Sequence, residues 1–394
     1  MIYADNAATT KMSEAAVRTL IETQAVGWGN PSSLYSHGQK AKEILEKARE
    51  DVAAVIGAEP REIYFTSGGS EADNQALRSA AAIGKRKGKM HIISTAFEHH
   101  AILHTLKALE KEGFEVTLLD VHENGIVVPS EVEAAIREDT CLVSVMYANN
   151  EIGTIQPIRE IGAVCRAKGV LFHTDAVQAM GHLPVSTEDG FDMLSASAHK
   201  FHGPKGAGFL YVRKGVPLTN LIEGGAQERG KRAGTENVAG IAAMAAALAE
   251  SAGKMDETAA ELIKKRDRLI EGLRQIPHCA LNGDARRRLP GNVNFCFEGI
   301  EGESLLLLLD DKGIQASSGS ACTSGSLDPS HVLLAIGRIH DVAHGSLRLT
   351  IGEDITDEDI DYIVQSVQEV VTYLRSFSPV WRDLQNGTRE YILP

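Results

Sequence analysis

At 394 residues the chain has room for two or three domains of ~150 residues each, and its 43% hydrophobic and 24% charged content is ordinary for a globular protein. The formal net charge of -13 argues against the concentrated basic face that nucleic-acid binding needs. The longest strongly apolar run, residues 239–249, is too short to cross a bilayer, and the opening MIYADNAATTK lacks the basic-then-apolar pattern of a secretory signal. A cytoplasmic protein with neither nucleic acid nor membrane as partner is the expectation.

The five cysteines fit that compartment. Cys141, Cys165, Cys279, Cys296 and Cys322 are scattered, none in a CxxC pair, so neither a zinc site nor a disulfide framework is indicated. Cys141, Cys165 and Cys296 fall in apolar strand-like or helix-like segments and read as small buried hydrophobes. Cys322 alone lies in a run of small and hydroxylic residues, ASSGSACTSGS (316–326), whose composition favours a loop.

In chain order, EIYFT (62–66), MHIIST (90–95), EVTLL (115–119), CLVSVMYA (141–148), VLFHTD (170–175), MLSASA (193–198) and GAGFLYV (206–212) read as strands. Helical patterns separate most of them, as at 71–83 and 158–168. This alternation implies βαβ units and a mostly parallel sheet covered on both faces, with ligands at the carboxyl ends of the strands. After residue 215 a long helical region at 235–276, with a break near Gly253, precedes strands at NVNFCF (292–297) and SLRLT (346–350) and terminal helices at 354–377. The expectation is an α/β large domain over 14–257, and a smaller α+β domain made of 1–13 and 258–394.

Four clusters carry candidate chemistry. FTSGGSEADN (65–74) is a strand, a glycine turn and a helix start, the arrangement in which backbone N–H groups and the helix dipole receive a phosphate. Read alone, it is equally a capping box with Ser70 as cap. MYANNEIGTIQP (146–157) ends a strand in polar side chains, Asn150 among them. HTDAVQ (173–178) puts Asp175 at a strand end, where a carboxylate can partner a protonated ring nitrogen or simply cap a helix. SASAHKFHGPKG (195–206) places Lys200 after a strand, where a rigidly held amine can form a Schiff base; Lys205 is the nearest rival.

In this order the clusters resemble the fold-type-I enzymes that use pyridoxal phosphate (PLP), and more closely the NifS/IscS-type cysteine desulfurases of aminotransferase class V. The resemblance runs nearly end to end, through YADNAATT (3–10), NPSSLYSHG (30–38), TSGGSEADN (66–74), EHHA (98–101), NNEIG (149–153), DAVQ (175–178), SAHKFHGPKG (197–206), QERGKRAGT (227–235), SSGSACTSGS (317–326) and GSLRLTIG (345–352). It implies an aspartate aminotransferase-like fold in a homodimer. By the same resemblance Lys200 binds PLP covalently, Asp175 partners the pyridine nitrogen, Gln178 faces the ring hydroxyl, and His99 stacks on the ring and shuttles a proton. Gly69, Ser70, Ser197, His199 and Thr235 hold the phosphate, Thr235 from the other subunit. Asn150 and Arg348 bind the carboxylate of L-cysteine, for which arginine's planar fork is suited. Relatives often carry Ala-Thr where this chain has Gly69 and Ser70, a change that preserves the backbone and hydroxyl donors.

Cys322 decides the implied reaction. Its thiolate would take sulfur from L-cysteine as a persulfide, leaving L-alanine, and pass it to an acceptor such as an iron–sulfur scaffold protein. The competing readings are another class V aminotransferase, a PLP lyase such as a selenocysteine lyase, and an assembly subunit without turnover. No metal site is indicated.

Overall fold

The computed structural model describes residues 1–318 and 329–393. Its strands are β1 (Ile2–Tyr3), β2 (Ile63–Thr66), β3 (His91–Thr95), β4 (Glu115–Leu119), β5 (Thr140–Ser144), β6 (Leu171–Asp175), β7 (Met193–Ser197), β8 (Gly208–Val212), β9 (Cys279–Leu281), β10 (Asn292–Phe297), β11 (Ile314–Gln315) and β12 (Ser346–Thr350). Seven of them form one sheet in the order β2-β8-β7-β6-β5-β3-β4. Pairings from β4 through β7 are parallel, and β8 runs antiparallel to both β2 and β7. The strands expected from sequence are all present, trimmed by up to four residues. β3, β5, β7 and β8 are buried at every position, which is why they read as apolar runs rather than alternating patterns.

Helix ends follow their chemistry. Ile158–Lys168 stops at Gly169, whose φ of 64° closes the helix in the left-handed region, with Arg166 and Lys168 in the negative last turn. Two further helices, Glu14–Val26 and Ser36–Ile56, lie ahead of β2. The second buries Ala41, Leu45, Ala48, Val52 and Ile56, the helical spacing of a core-facing stripe.

The long helical region is one helix, Val238–Leu273, unbroken at Gly253. An interior glycine costs only about 1 kcal/mol, and apolar burial on both sides of it outweighs that. Ile241 to Leu248 pack into the core around the large sheet, and Leu262, Leu269 and Leu273 into a second core. By length and composition part of this helix could cross a membrane, but 61% of that window is buried inside the protein, as a core helix requires.

The second core lies on the antiparallel sheet β12-β10-β9 and takes in Ile2 and Ala4 from the N-terminus. β1 pairs in parallel with β11. The N-terminal segment therefore leaves the second core and arrives beside the carboxyl ends of β6 and β7.

Candidate active site

Two adjacent strand ends and the turn that follows them build the floor of the site. Asp175 is the last residue of β6 and Ser197 the last of β7, and a single 3-10 turn, Ala198–Lys200, follows. That turn is laced to the N-terminal segment: Thr10 donates its backbone N–H and its hydroxyl to the His199 carbonyl at 2.8 and 3.0 Å. Lys200 Nζ donates to the carbonyls of Ala7 and Ala8 at 2.5 and 2.7 Å. Gln178 Nε2 donates to the same Ala7 carbonyl at 3.0 Å, which brings Gln178 and Lys200 to one point.

Burial raises the Asp175 carboxyl above its ordinary range, while the Val177 N–H, which it accepts at 2.9 Å, and the Lys200 charge draw it back. Beside it, Asp73 is raised well above the carboxylate range, first by burial and then by the Asp175 charge. Two such carboxyls cannot both ionise easily, so the negative charge belongs on Asp175, the one that answers to Lys200. That arrangement suits a cationic ring nitrogen.

His99 caps the helix His100–Lys111 by accepting from the Ala101 N–H through Nδ1 at 3.1 Å, which leaves the proton on Nε2. Burial, followed by the charges of Lys200, His331 and His104, pushes its pKa down to about 4. It is a neutral imidazole at physiological pH. Directly before it, Glu98 is wholly buried and pushed up to about 8 by that burial, its Oε1 accepting from Thr95 and Met146.

An anion cradle opens at the N-terminus of the helix Gly69–Arg86. Gly68 precedes it at φ 150° and provides no side-chain cap, so the first-turn N–H groups and the helix dipole face outward. Gly208 is required by contact, since a Cβ there would come within 2.7 Å of Gly68 Cα; a Cβ on Gly69 would meet only a Val177 methyl, at 2.6 Å, which a side-chain shift can relieve. The hydroxyl of Ser197 lies 3.4 Å from where a Gly68 Cβ would be. His199 Nδ1 is 3.2 Å from Thr9 Oγ1, its pKa pushed to about 4 by burial and by Lys200 and Lys205. Backbone N–H groups, serine hydroxyls and a glycine-lined approach are the donor set a phosphate takes, so the residues present fit PLP.

Arg348 enters from β12 in the second core, 3% exposed. Its Nη2 pairs with Asp5 at 2.8 Å, Nη1 donates to the Asn150 carbonyl at 3.2 Å, and Nε has no hydrogen-bond partner among the described residues. Asn150 and Arg348 thus meet, and the two bonds leave the guanidinium with further N–H donors for a carboxylate. Cys322 lies outside the described residues. The chain on either side of it is tied to this same place: Ser317 exchanges backbone hydrogen bonds with Arg348, and the Ser330 hydroxyl bonds the buried Glu151 carboxylate beside Asn150.

Thr235 stands exposed at the end of a segment fastened to the cradle by Arg232, which pairs with Glu71 at 2.8 Å. The sequence reading missed Asp5, Ala7, Asp73, Glu98, Glu151 and Ser330. Of these, Asp5, Ala7, Asp73, Glu98 and Glu151 lie inside the motifs YADNAATT, TSGGSEADN, EHHA and NNEIG, and the motif boundaries were the signal available.

Residues 2–363 match the family described as aminotransferase class-V. The chain belongs to that family. It is 52% identical over 393 residues to a cysteine desulfurase IscS of Clostridium botulinum, covering 99% of both chains, and 52% identical over 380 residues to one from Methanosarcina thermophila, covering 96% of this chain and 94% of that one. Among solved structures, a NifS-like protein superposes with a TM-score of 0.89 at 39% identity, over 95% of this chain and all of the other. This class-V member accordingly has the PLP fold type I expected of it: a large α/β unit on a mostly parallel sheet and a smaller α+β unit.

Proposed function

We propose that the protein is a PLP-dependent cysteine desulfurase that moves sulfur from free L-cysteine to Cys322, releasing L-alanine. The observation that carries the reading is the end-to-end likeness to cysteine desulfurases. The strand-end Lys200 and Asp175, and the Arg348 to which the approach to Cys322 is paired, give it a chemical footing.

Bound through Lys200, PLP supplies an electron sink that makes the substrate's α-proton removable. Asp175 would hold the proton on the ring nitrogen, Gln178 would address the ring hydroxyl, and neutral His99 would face the ring with its Nε2 proton available. Gly69, Ser70, Ser197 and His199 hold the phosphate. Arg348 and Asn150 would orient the L-cysteine carboxylate, and Lys200 Nζ, once the substrate's amine has displaced it from the cofactor, would take the α-proton. The Cys322 thiolate then attacks the substrate sulfur: an S–S bond forms as the C–S bond breaks, the carbon keeps the electron pair and, once protonated, leaves as alanine.

The same proposal includes a homodimer in which Thr235 reaches the partner's phosphate, a division into 14–257 against 1–13 with 258–394, a cytoplasmic setting, and an acceptor such as an iron–sulfur scaffold protein. Exposed apolar side chains at Ile21, Trp28, Leu34 and Tyr35 support the dimer. The passage of the helix Val238–Leu273 from one core to the other supports the division. The test is to incubate the purified protein with L-cysteine: alanine and a Cys322 persulfide should appear together, whereas a keto acid without alanine would place it among the transaminating members.

A further inference from the structure

The segment that ends in Thr235 begins with backbone that side-chain-bearing residues avoid. Glu228 (φ 47°, ψ 45°) and Arg229 (φ 58°, ψ 33°) are both left-handed, in succession, and neither is glycine. Strain of this kind persists only where the surroundings over-determine it.

Here they do. Glu228, 4% exposed, receives both arms of the Arg49 guanidinium at 2.8 Å each, and its Oε2 also accepts the Phe65 N–H at 2.9 Å. Arg49, 3% exposed, donates in addition to the Ile63 carbonyl at 2.9 Å. Arg229 Nη2 reaches the same carbonyl at 2.6 Å, its guanidinium lying over the Tyr64 ring at 4.2 Å. Farther along, Gln227 Oε1 accepts the Gly234 N–H at 3.0 Å, closing the segment on itself one residue before Thr235. A buried bidentate ion pair is an expensive way to satisfy an edge strand, which water or a neutral side chain would serve. What the pair adds is a fixed origin for the segment.

We propose that Glu228, clamped by Arg49, is a positioning residue for the cofactor phosphate of the other subunit: it sets the 227–235 segment so that Thr235 arrives at a defined point in the partner's site. This rests on the dimer reading above. The alternative is local: Glu228 only caps the edge of β2, which feeds its own chain's phosphate turn. The two differ in which subunit suffers when the clamp is broken.

The experiment uses differently tagged chains, co-expressed and purified as heterodimers, with borohydride-trapped PLP on Lys200 titrated against free PLP. In homodimers, Glu228→Gln should raise the PLP concentration needed for half-occupancy about tenfold or more, as expected for loss of a charge-assisted clamp, and Thr235→Ala should raise it too. Pairing either variant with a Lys200→Ala chain leaves one lysine-bearing site per dimer, and the segment reaching that site comes from the Lys200→Ala chain, intact. Both pairings should therefore recover the wild-type titration. If the Thr235→Ala pairing recovers and the Glu228→Gln pairing does not, Glu228 acts within its own chain and the inference is overturned while the dimer reading stands. If the Thr235→Ala pairing fails to recover, the dimer reading falls instead. Arg49→Lys, which keeps the buried charge but not the fork, serves in the same design should Glu228→Gln not fold, and a loss confined to its own chain would equally overturn the proposal.

Discussion

Asp175 and Ser197 stand at the ends of neighbouring strands of one buried sheet, and the turn after Ser197 that carries Lys200 is stitched to residues 7–10. Arg348 comes instead from the second core, and it holds the N-terminus through Asp5 while pairing with Ser317 on the way to Cys322. The first region has its charges set in place by burial and short hydrogen bonds. The second consists of junctions: Arg348 to Asn150, Ser317 to Arg348, Ser330 to Glu151. Under the proposed function this difference would separate two tasks, holding a cofactor in one electronic state and bringing a substrate and a thiol together. Substitutions in the first region should change what the cofactor does, and those in the second should change what reaches it.

The largest effect belongs to the first region. Lys200→Ala should abolish the covalent PLP link and bring alanine formation to background, while PLP still binds non-covalently in the cradle around Gly69 and Ser197; absorption spectra before and after gel filtration report both. Covalent PLP found on Lys205 after borohydride reduction and peptide mapping would contradict the assignment.

The second region should answer differently. Arg348→Lys keeps the charge facing Asp5 but loses the planar fork, so KM for L-cysteine should rise about tenfold to a hundredfold with a smaller change in kcat. The PLP spectrum should be unchanged. A variant that loses PLP in proportion to its loss of activity would erase the distinction between the regions.

A further effect concerns stability and pH rather than turnover. The folded-state pKa of Glu98 is raised to about 8 from an ordinary value of 4.5. Between those values the folded protein binds more protons than the unfolded chain, so the contribution of Glu98 to stability is full below about pH 4.5 and falls as pH rises towards 8, by at most about 1.4 kcal/mol per unit. Glu98→Gln should therefore melt close to wild type near pH 5 and above it near pH 8. Equal melting temperatures at both pH values would mean that the carboxyl is solvated or paired.

Much of this was legible in the sequence because buried parallel strands announce themselves as apolar runs, and because the motif residues cluster at their ends. β10 and β12 and the helix Ile158–Lys168 fall where the pattern places them. A break at Gly253 was expected and does not occur: a Cβ there would meet nothing within 4 Å, so the glycine is tolerated in a helix held by its two flanks. Hidden from the sequence were relations between distant segments. That Ala7 offers its carbonyl to both Lys200 and Gln178 depends on β1 pairing with β11, some 310 residues away. The raised pKa of Glu98 depends on burial that the string EHHA does not express, and the bond between Glu151 and Ser330 joins the NNEIG motif to a residue outside every motif.

The central claim is that sulfur leaves L-cysteine by way of Cys322, and one comparison tests it most directly. Wild type and Cys322→Ser, both loaded with PLP, are mixed with L-cysteine while the cofactor spectrum, alanine and the mass of the peptide containing residue 322 are followed. A serine hydroxyl without an adjacent base is a poor nucleophile, so the variant should show the early spectral change of substrate binding but background alanine, while wild type gains one sulfur on that peptide as alanine appears. Alanine formed by Cys322→Ser at the wild-type rate would contradict the account and leave Cys322 with no part in the chemistry.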